Sequence, residues 1–358
     1  MSPNITLALV HLGETSPRHL WVNFQRLQRD FKNLDIVLIA DSERILVFAQ
    51  SLGLTTYQYK ETKEDSDFFS TYPGKQDYHF RSGFWRHSLQ RIFALIQFHN
   101  LLGDTPLIHI ENDIYITPDF PFEKFSDFTK IAWSRYSETH DAASILFLPT
   151  TSESQNLNLW IKNIGHELDE MNDMTILNVI ARSHEEVALL PIAESANSEL
   201  LNQNIIIGDD AIEITKYYNY FDGYFDPAAI GMWTCGVDPR NNLGFVKRFI
   251  PLPESYIDPE KVGLQVKNGN VKDRNLNSIF NLHVHSKSLK ILGVRSPNYL
   301  EKIANSKYNF MFSAKALLAI VLDYKKRGKI LHLFYNLPPF TLLRKSSAFI
   351  ALKDFLFK

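Results

Sequence analysis

The sequence predicts an α/β protein built on a mostly parallel central sheet flanked by helices. Two observations carry this expectation. Short apolar runs with strand character alternate with amphipathic helical segments through the first half of the chain, and strands separated by helices form parallel sheets covered on both faces. The runs are also almost wholly apolar, as LDIVLIA at 34–40 shows, which suits strands buried on both sides. At 358 residues and 45% hydrophobic, the chain can bury a sizeable core.

Residues 5–12 form a first strand. Residues 18–31 have helical spacing, with Leu20, Phe24, Leu27 and Phe31 on one stripe. Residues 34–40 are a second strand ending at Asp41, residues 44–52 a helix closed by Gly53, and residues 55–59 a short strand. Residues 61–78 are polar, contain Pro73-Gly74 and read as a long loop. Residues 84–102 are a strong amphipathic helix, followed by the strand LIHI at 107–110. Strands are expected at 130–134, 144–148, 187–192 and 281–285, and helices at 157–163 and 173–183. Residues 217–244 are rich in Gly, Pro, Asp and aromatics, with weak periodicity. The chain after Asn298 reads as a helical extension, giving an expected division into 1–297 and 298–358.

Charge and composition exclude several classes. The net charge of −2 makes no case for nucleic acid. The single cysteine, Cys235, excludes an intramolecular disulfide framework and fits a reducing compartment. The first residues, MSPNITLALVHLGE, lack a secretory pattern and read as a strand entering the fold, so a cytoplasmic location is expected. No run reaches the roughly 18 apolar residues that a spanning helix requires. Residues 301–358, however, carry eleven Lys or Arg against three Asp or Glu, mixed with bulky apolar residues. That pattern suits a basic amphipathic surface on the inner face of an anionic membrane, or a helical extension packed on the main body.

Five stretches carry chemistry. In LIHIENDI, Glu111 and Asp113 end a strand headed for the core, where an unpaired carboxylate is costly. Two acids on one side of an extended chain suit Mg²⁺ or Mn²⁺, although an acidic turn has the same sequence. In NLHVHSK, His283 and His285 share a strand face and Lys287 follows, a set suited to a cation and a phosphate. In FDPAAIGMWTCG, Asp226 and Gly231 sit among small residues that admit close approach of a ligand. Asp173 opens a helix as an N-cap. On the helix 84–102, Arg86 and Arg91 have the reach to meet a diphosphate or to pair with acids, Glu111 among them.

The ordered series FWRHSLQRIFAL, LIHIENDIYI, NDMTILNVI, FDPAAIGMWTCGVDPRN and NLHVHSK resembles a bacterial glycosyltransferase of the GT-A fold, over residues 5–289. The resemblance implies a GT-A-like, Rossmann-type sheet and a nucleoside-diphosphate sugar as donor. It also implies a divalent cation, Mn²⁺ or Mg²⁺, at Glu111-Asn112-Asp113, with His283 or His285 completing the ligands and Lys287 on phosphate. This sequence has Glu where many members have Asp, which makes Asp113 the surer ligand. Asp173 falls where inverting members carry an acceptor-activating acid, with Asp226 as the second candidate. His11, Gly13 and Asp41 fall where the nucleoside binds. The acceptor is expected to be a glycan or a lipid-linked glycan. Two other readings are a nucleotidyltransferase on a similar sheet, which HLGETSPRHL with its single Gly does not favour, and a non-catalytic glycan-binding scaffold.

Overall fold

The structure is a computed structural model that describes residues 4–71, 83–164, 172–236, 254–293 and 296–304. Through β8 the chain order is β1 (Thr6–His11), α1 (Arg18–Asp30), β2 (Asp35–Ala40), α2 (Glu43–Ser51), β3 (Thr55–Gln58), α3 (Lys63–Thr71), α4 (Phe84–Leu102), β4 (Leu107–Ile110), β5 (Ile114–Ile116), α5 (Phe122–Ser126), β6 (Ile131–Arg135), β7 (Asp141–Leu148), α6 (Thr151–Ile164), α7 (Asp173–Ser183) and β8 (Val187–Leu189). Seven strands form one sheet in the order β3-β2-β1-β4-β7-β6-β8. β7 is antiparallel to β4 and β6, and every other neighbouring pair is parallel.

Strand side chains alternate between faces, so each strand feeds two cores. Ala8, Val10, Val37 and Ile39 join the apolar faces of α4, α6 and α7. Leu7, Leu9, Ile36 and Leu38 join those of α1 and α2. This is the mostly parallel, helix-flanked α/β sheet that the alternation of elements predicts.

The chain then adds the short helices α8 (Asp210–Glu213), α9 (Tyr218–Phe221) and α10 (Ala229–Cys235), and a three-stranded antiparallel sheet of β9 (Gln265–Lys267), β10 (Asn270–Lys272) and β11 (Ser278–Ile279). β12 (Asn281–His283) pairs antiparallel with β5, and His283 stands opposite Ile114. Helices at Leu289–Leu292 and Ser296–Ala304 follow, the first against α1 and the second against β9. The expected division at 297/298 falls inside the helix Ser296–Ala304, and residues 305–358 lie outside the described residues. Among the described residues no helix is long and apolar enough to cross a membrane.

Two expectations change. Part of the stretch read as a loop at 61–78 is α3, whose Phe68 and Phe69 pack on Phe93 of α4. Its polar sequence shows no apolar stripe, since those two adjacent phenylalanines do most of the anchoring. The weakly periodic stretch 217–244 contains α9 and α10, which are too short for a periodic signal.

Below the site to come, β4 carries the fully buried His109, whose Nδ1 donates to the Ala8 carbonyl at 3.1 Å, across the β1–β4 pair. Its Nε2 is buried without a hydrogen-bond partner. Burial, reinforced by the nearby Arg91 guanidinium, lowers the imidazole pKa to about 3. The unfolded chain protonates this group near pH 6.5 while the folded chain does not, so stability falls as pH drops from about 6.5 towards 3, by up to about 1.4 kcal/mol per pH unit. His109→Leu should flatten that dependence in denaturant melts run from pH 7 to pH 4. An unchanged slope would place the acid sensitivity elsewhere.

Candidate active site at the carboxyl ends of β1 and β4

β1 leads on to β2 and β3 on one side, while β4 lies on its other side, so the strand order reverses between β1 and β4. In open α/β sheets ligands bind outside the carboxyl ends of strands at such a switch point. Here those ends carry His11 as the last residue of β1 and Gly13 just after it, Asp41 after β2, and Glu111-Asn112-Asp113 after β4. The Gly13 N–H donates to Asp41 Oδ1 at 2.9 Å, and its φ of +95° favours glycine. His11 bonds the Thr15 carbonyl, and burial lowers its pKa. Gly13 and Asp41 are thus tied together across the ends of β1 and β2, with His11 closing β1.

Glu111 and Asp113 do not lie along an extended strand as expected. Ile114 N–H donates to the Glu111 carbonyl at 3.0 Å, closing a tight turn between β4 and β5 that swings the acids together. The turn is held from below. Asn112 Nδ2 donates to the Val10 carbonyl at 3.0 Å, and Asn23 Nδ2 donates to the carbonyls of Asn112 (3.2 Å) and Ile114 (2.9 Å). Arg26, fully buried, donates to the Ile116 carbonyl at 3.0 Å. The Asn112 amide group thus braces β4 against β1, where the resemblance implied ligand contact. Asn23 and Arg26 were missed. Both are polar residues beside the apolar stripe of α1, and that interruption was the signal.

β12 brings the third group. Val284 N–H donates to the Asp113 carbonyl at 2.8 Å, extending the β5–β12 ladder beyond His283. His283 Nε2 then lies 3.5 Å from Glu111 Oε2 and 3.4 Å from Asp113 Oδ1. One ligand atom from each of the three falls within 4.8 Å of the others. Atoms sharing one cation at about 2.1 Å stand roughly 3.0–3.4 Å apart in octahedral or tetrahedral arrangements, so the two His283 distances match such a site and the chemistry of the set suits a divalent ion. His285 departs from expectation: β12 ends at His283, His285 lies in the following turn, and it is outside this ligand set. Its ring stands edge-on to that of His283, 5.5 Å away.

Two cationic side chains frame the acids, Arg91 and Lys287. Arg91 donates to Glu111 Oε1 in a close pair and to Asp173 Oδ2 at 2.8 Å. Lys287 Nζ donates to Asp113 Oδ2 at 2.8 Å. Arg86 is turned elsewhere, paired with Glu61 and lying 4.3 Å over the Phe69 ring, so it ties α4 to α3 instead of facing the crevice acids. Burial would raise the pKa of both turn acids. Lys287 and His283 nevertheless hold Asp113 well below the carboxylate range, and Arg91 and His283 lower Glu111. Asp173 moves the other way, because burial outweighs its Arg91 partner. Burial pulls His283 down, but Asp113 and Glu111 more than reverse it and its pKa rises.

Asp173 is the first residue of α7, and the N-cap is its neighbour Asn172, which accepts from Thr175 N–H at 3.0 Å. That leaves the Asp173 side chain free to turn towards Arg91. Asp226 does not face the acids. It is fully buried and its carboxylate accepts from four backbone N–H groups: Ala228 (3.0 Å), Ile230 (2.9 Å), Gly231 (2.7 Å) and His283 (3.1 Å). Gly231 also has a different role from the one expected. A Cβ there would lie 2.3 Å from His283 N, so the glycine lets α10 rest on the β12 backbone and fix His283.

No protein-family profile and no curated protein matches this sequence. Among the solved structures that are partly similar are these three. A provisionally assigned glucose-1-phosphate thymidylyltransferase from Bacillus anthracis, bound to sucrose, shares 12% identity at a TM-score of 0.31, over 53% of this chain and 87% of that one. The PaToxG glycosyltransferase shares 10% identity at a TM-score of 0.35, over 60% and 85%. The bifunctional IspDF from Campylobacter jejuni shares 9% identity at a TM-score of 0.27, over 53% and 50%. Likeness at this level assigns neither a family nor an activity.

Proposed function

We propose that this chain is a divalent-cation-dependent glycosyltransferase of GT-A type. It would move a sugar from a nucleoside-diphosphate sugar to a glycan or lipid-linked glycan acceptor. The observation that carries the reading is the convergence of Glu111, Asp113 and His283, with Arg91, Lys287 and Asp173 around them, at the switch point of a mostly parallel sheet.

Glu111, Asp113 and His283 would hold Mn²⁺ or Mg²⁺. When bound, the cation neutralises charge on the departing diphosphate. The Lys287 ammonium lies beside Asp113, within reach of a phosphate oxygen at the same place. His11, Gly13 and Asp41 supply polar groups for the nucleoside. Asp173, with its pKa raised by burial, suits a general base that takes the acceptor hydroxyl proton while Arg91 keeps its carboxylate oriented. A membrane contact through the basic, apolar-rich sequence 301–358 would suit a lipid-linked acceptor.

The test is a donor panel of UDP, GDP, CDP and TDP sugars incubated with Mn²⁺, then with EDTA. Slow donor hydrolysis that EDTA stops is the expected result. A second panel pairs nucleoside triphosphates with sugar phosphates: turnover only there would make the chain a nucleotidyltransferase, and neither turnover nor nucleotide binding in either panel would make it a scaffold.

A further inference from the structure

The two oxygens of Asp113 are divided between two kinds of partner. Oδ1 faces His283 Nε2 at 3.4 Å, on the side where the ligand atoms converge, while Oδ2 accepts from Lys287 Nζ at 2.8 Å. The lysine is held there by its backbone as well as its charge. Its N–H donates to the Val284 carbonyl at 2.7 Å, and its φ of +55° is a region that residues with a Cβ rarely adopt. Such a conformation persists where surrounding structure fixes it, and it directs the long side chain back over the β4–β5 turn. Glu111 is likewise held by Arg91. Each carboxylate of the pair thus has a resident cation a few ångströms from where a metal would sit.

Resting on the metal-site reading above, we propose that Lys287 is a resident counter-ion that couples cation binding to donor binding. While its ammonium stays on Asp113 it opposes a dication at the adjoining oxygen by like-charge repulsion. A donor diphosphate offers the ammonium a second anionic partner. Lys287 then transfers from Asp113 Oδ2 to a phosphate oxygen, and the carboxylate is left wholly to the metal. Cation and nucleotide therefore bind cooperatively, and each strengthens the other by the same factor.

The test measures Mn²⁺ binding calorimetrically to the full chain, alone and with saturating UDP, GDP, CDP or TDP. It compares wild type with Lys287→Gln and with Lys287→Asn, a residue that tolerates the left-handed backbone. Thermal melts without metal confirm that each variant is folded. For Mn²⁺ alone, both variants should bind about tenfold more tightly than wild type, within the usual range of coupling between sites. A nucleoside diphosphate should tighten Mn²⁺ binding to wild type through its direct attraction to the cation and through release of Lys287, and in both variants that gain should be smaller by about tenfold. If wild type binds Mn²⁺ and the variants bind it equally well or more weakly, the counter-ion role is wrong while the metal site stands. If neither wild type nor variants bind Mn²⁺, the metal reading fails and takes this inference with it.

Discussion

Replacing Asp113 by alanine should abolish measurable Mn²⁺ binding and lower sugar transfer by about 10²–10³-fold, the scale expected when a principal electrostatic contact to the transition state is lost. Asp113 is the group on which the site's charges converge. It offers Oδ1 to the convergence point, holds Lys287 through Oδ2, and stands against His283. Removing it deletes a proposed ligand, strips the Lys287 ammonium of this carboxylate partner and takes away the main influence that raises the His283 pKa. Glu111→Ala should cost less metal affinity, because Glu111 Oε1 is engaged by Arg91 and only Oε2 is turned towards His283. Mn²⁺ titration of both variants, together with transfer assays, checks the ranking. An Asp113→Ala protein that binds Mn²⁺ like wild type would move the metal elsewhere.

The fold and the candidate site were partly legible in the sequence. β1, β2 and β4 are central strands covered on both faces, so their apolar runs were unmistakable, and acids ending such a run stood out. The helix at Phe84–Leu102 was readable because nineteen residues give the apolar stripe many turns to repeat. The three-stranded sheet β9–β11 was missed although it carried a signal. Asn268 and Gly269 both have positive φ between β9 and β10, and Asn-Gly is the usual sequence of a tight hairpin. Its strands are only two or three residues long, too short for alternation to show. The site was legible as a list of residues and less so as an arrangement. Arg91 bridging Glu111 to Asp173, the division of Asp113 between His283 and Lys287, and the turning away of Arg86 depend on which helix lies over which strand end. Spacing along the chain does not encode those contacts.

Asp226 shows the same limit most sharply, and it carries the second large effect. An acid amid small residues reads as a base in a ligand-lining loop, yet every direction from its carboxylate ends on a backbone N–H. Burial raises its pKa, the four donors oppose that rise, and the arrangement is complementary to the ionised form. Those donors also hold Ala228 at a φ of +122°, which an alanine adopts only under constraint. Asp226→Ala would orphan all four donors in a buried setting, where each unsatisfied group costs about 1–3 kcal/mol. A loss of several kcal/mol is therefore expected, a large part of the roughly 5–15 kcal/mol by which domains are stable. Asp226→Asn should also destabilise, since its amide NH₂ would confront either the Gly231 and His283 donors or those of Ala228 and Ile230. In both variants His283 loses its support from α10, so metal binding should fail with the fold. Denaturant melts of the two variants decide the matter. An Asp226→Ala protein that melts like wild type, binds Mn²⁺ normally and has lost only transfer activity would return this residue to the catalytic machinery.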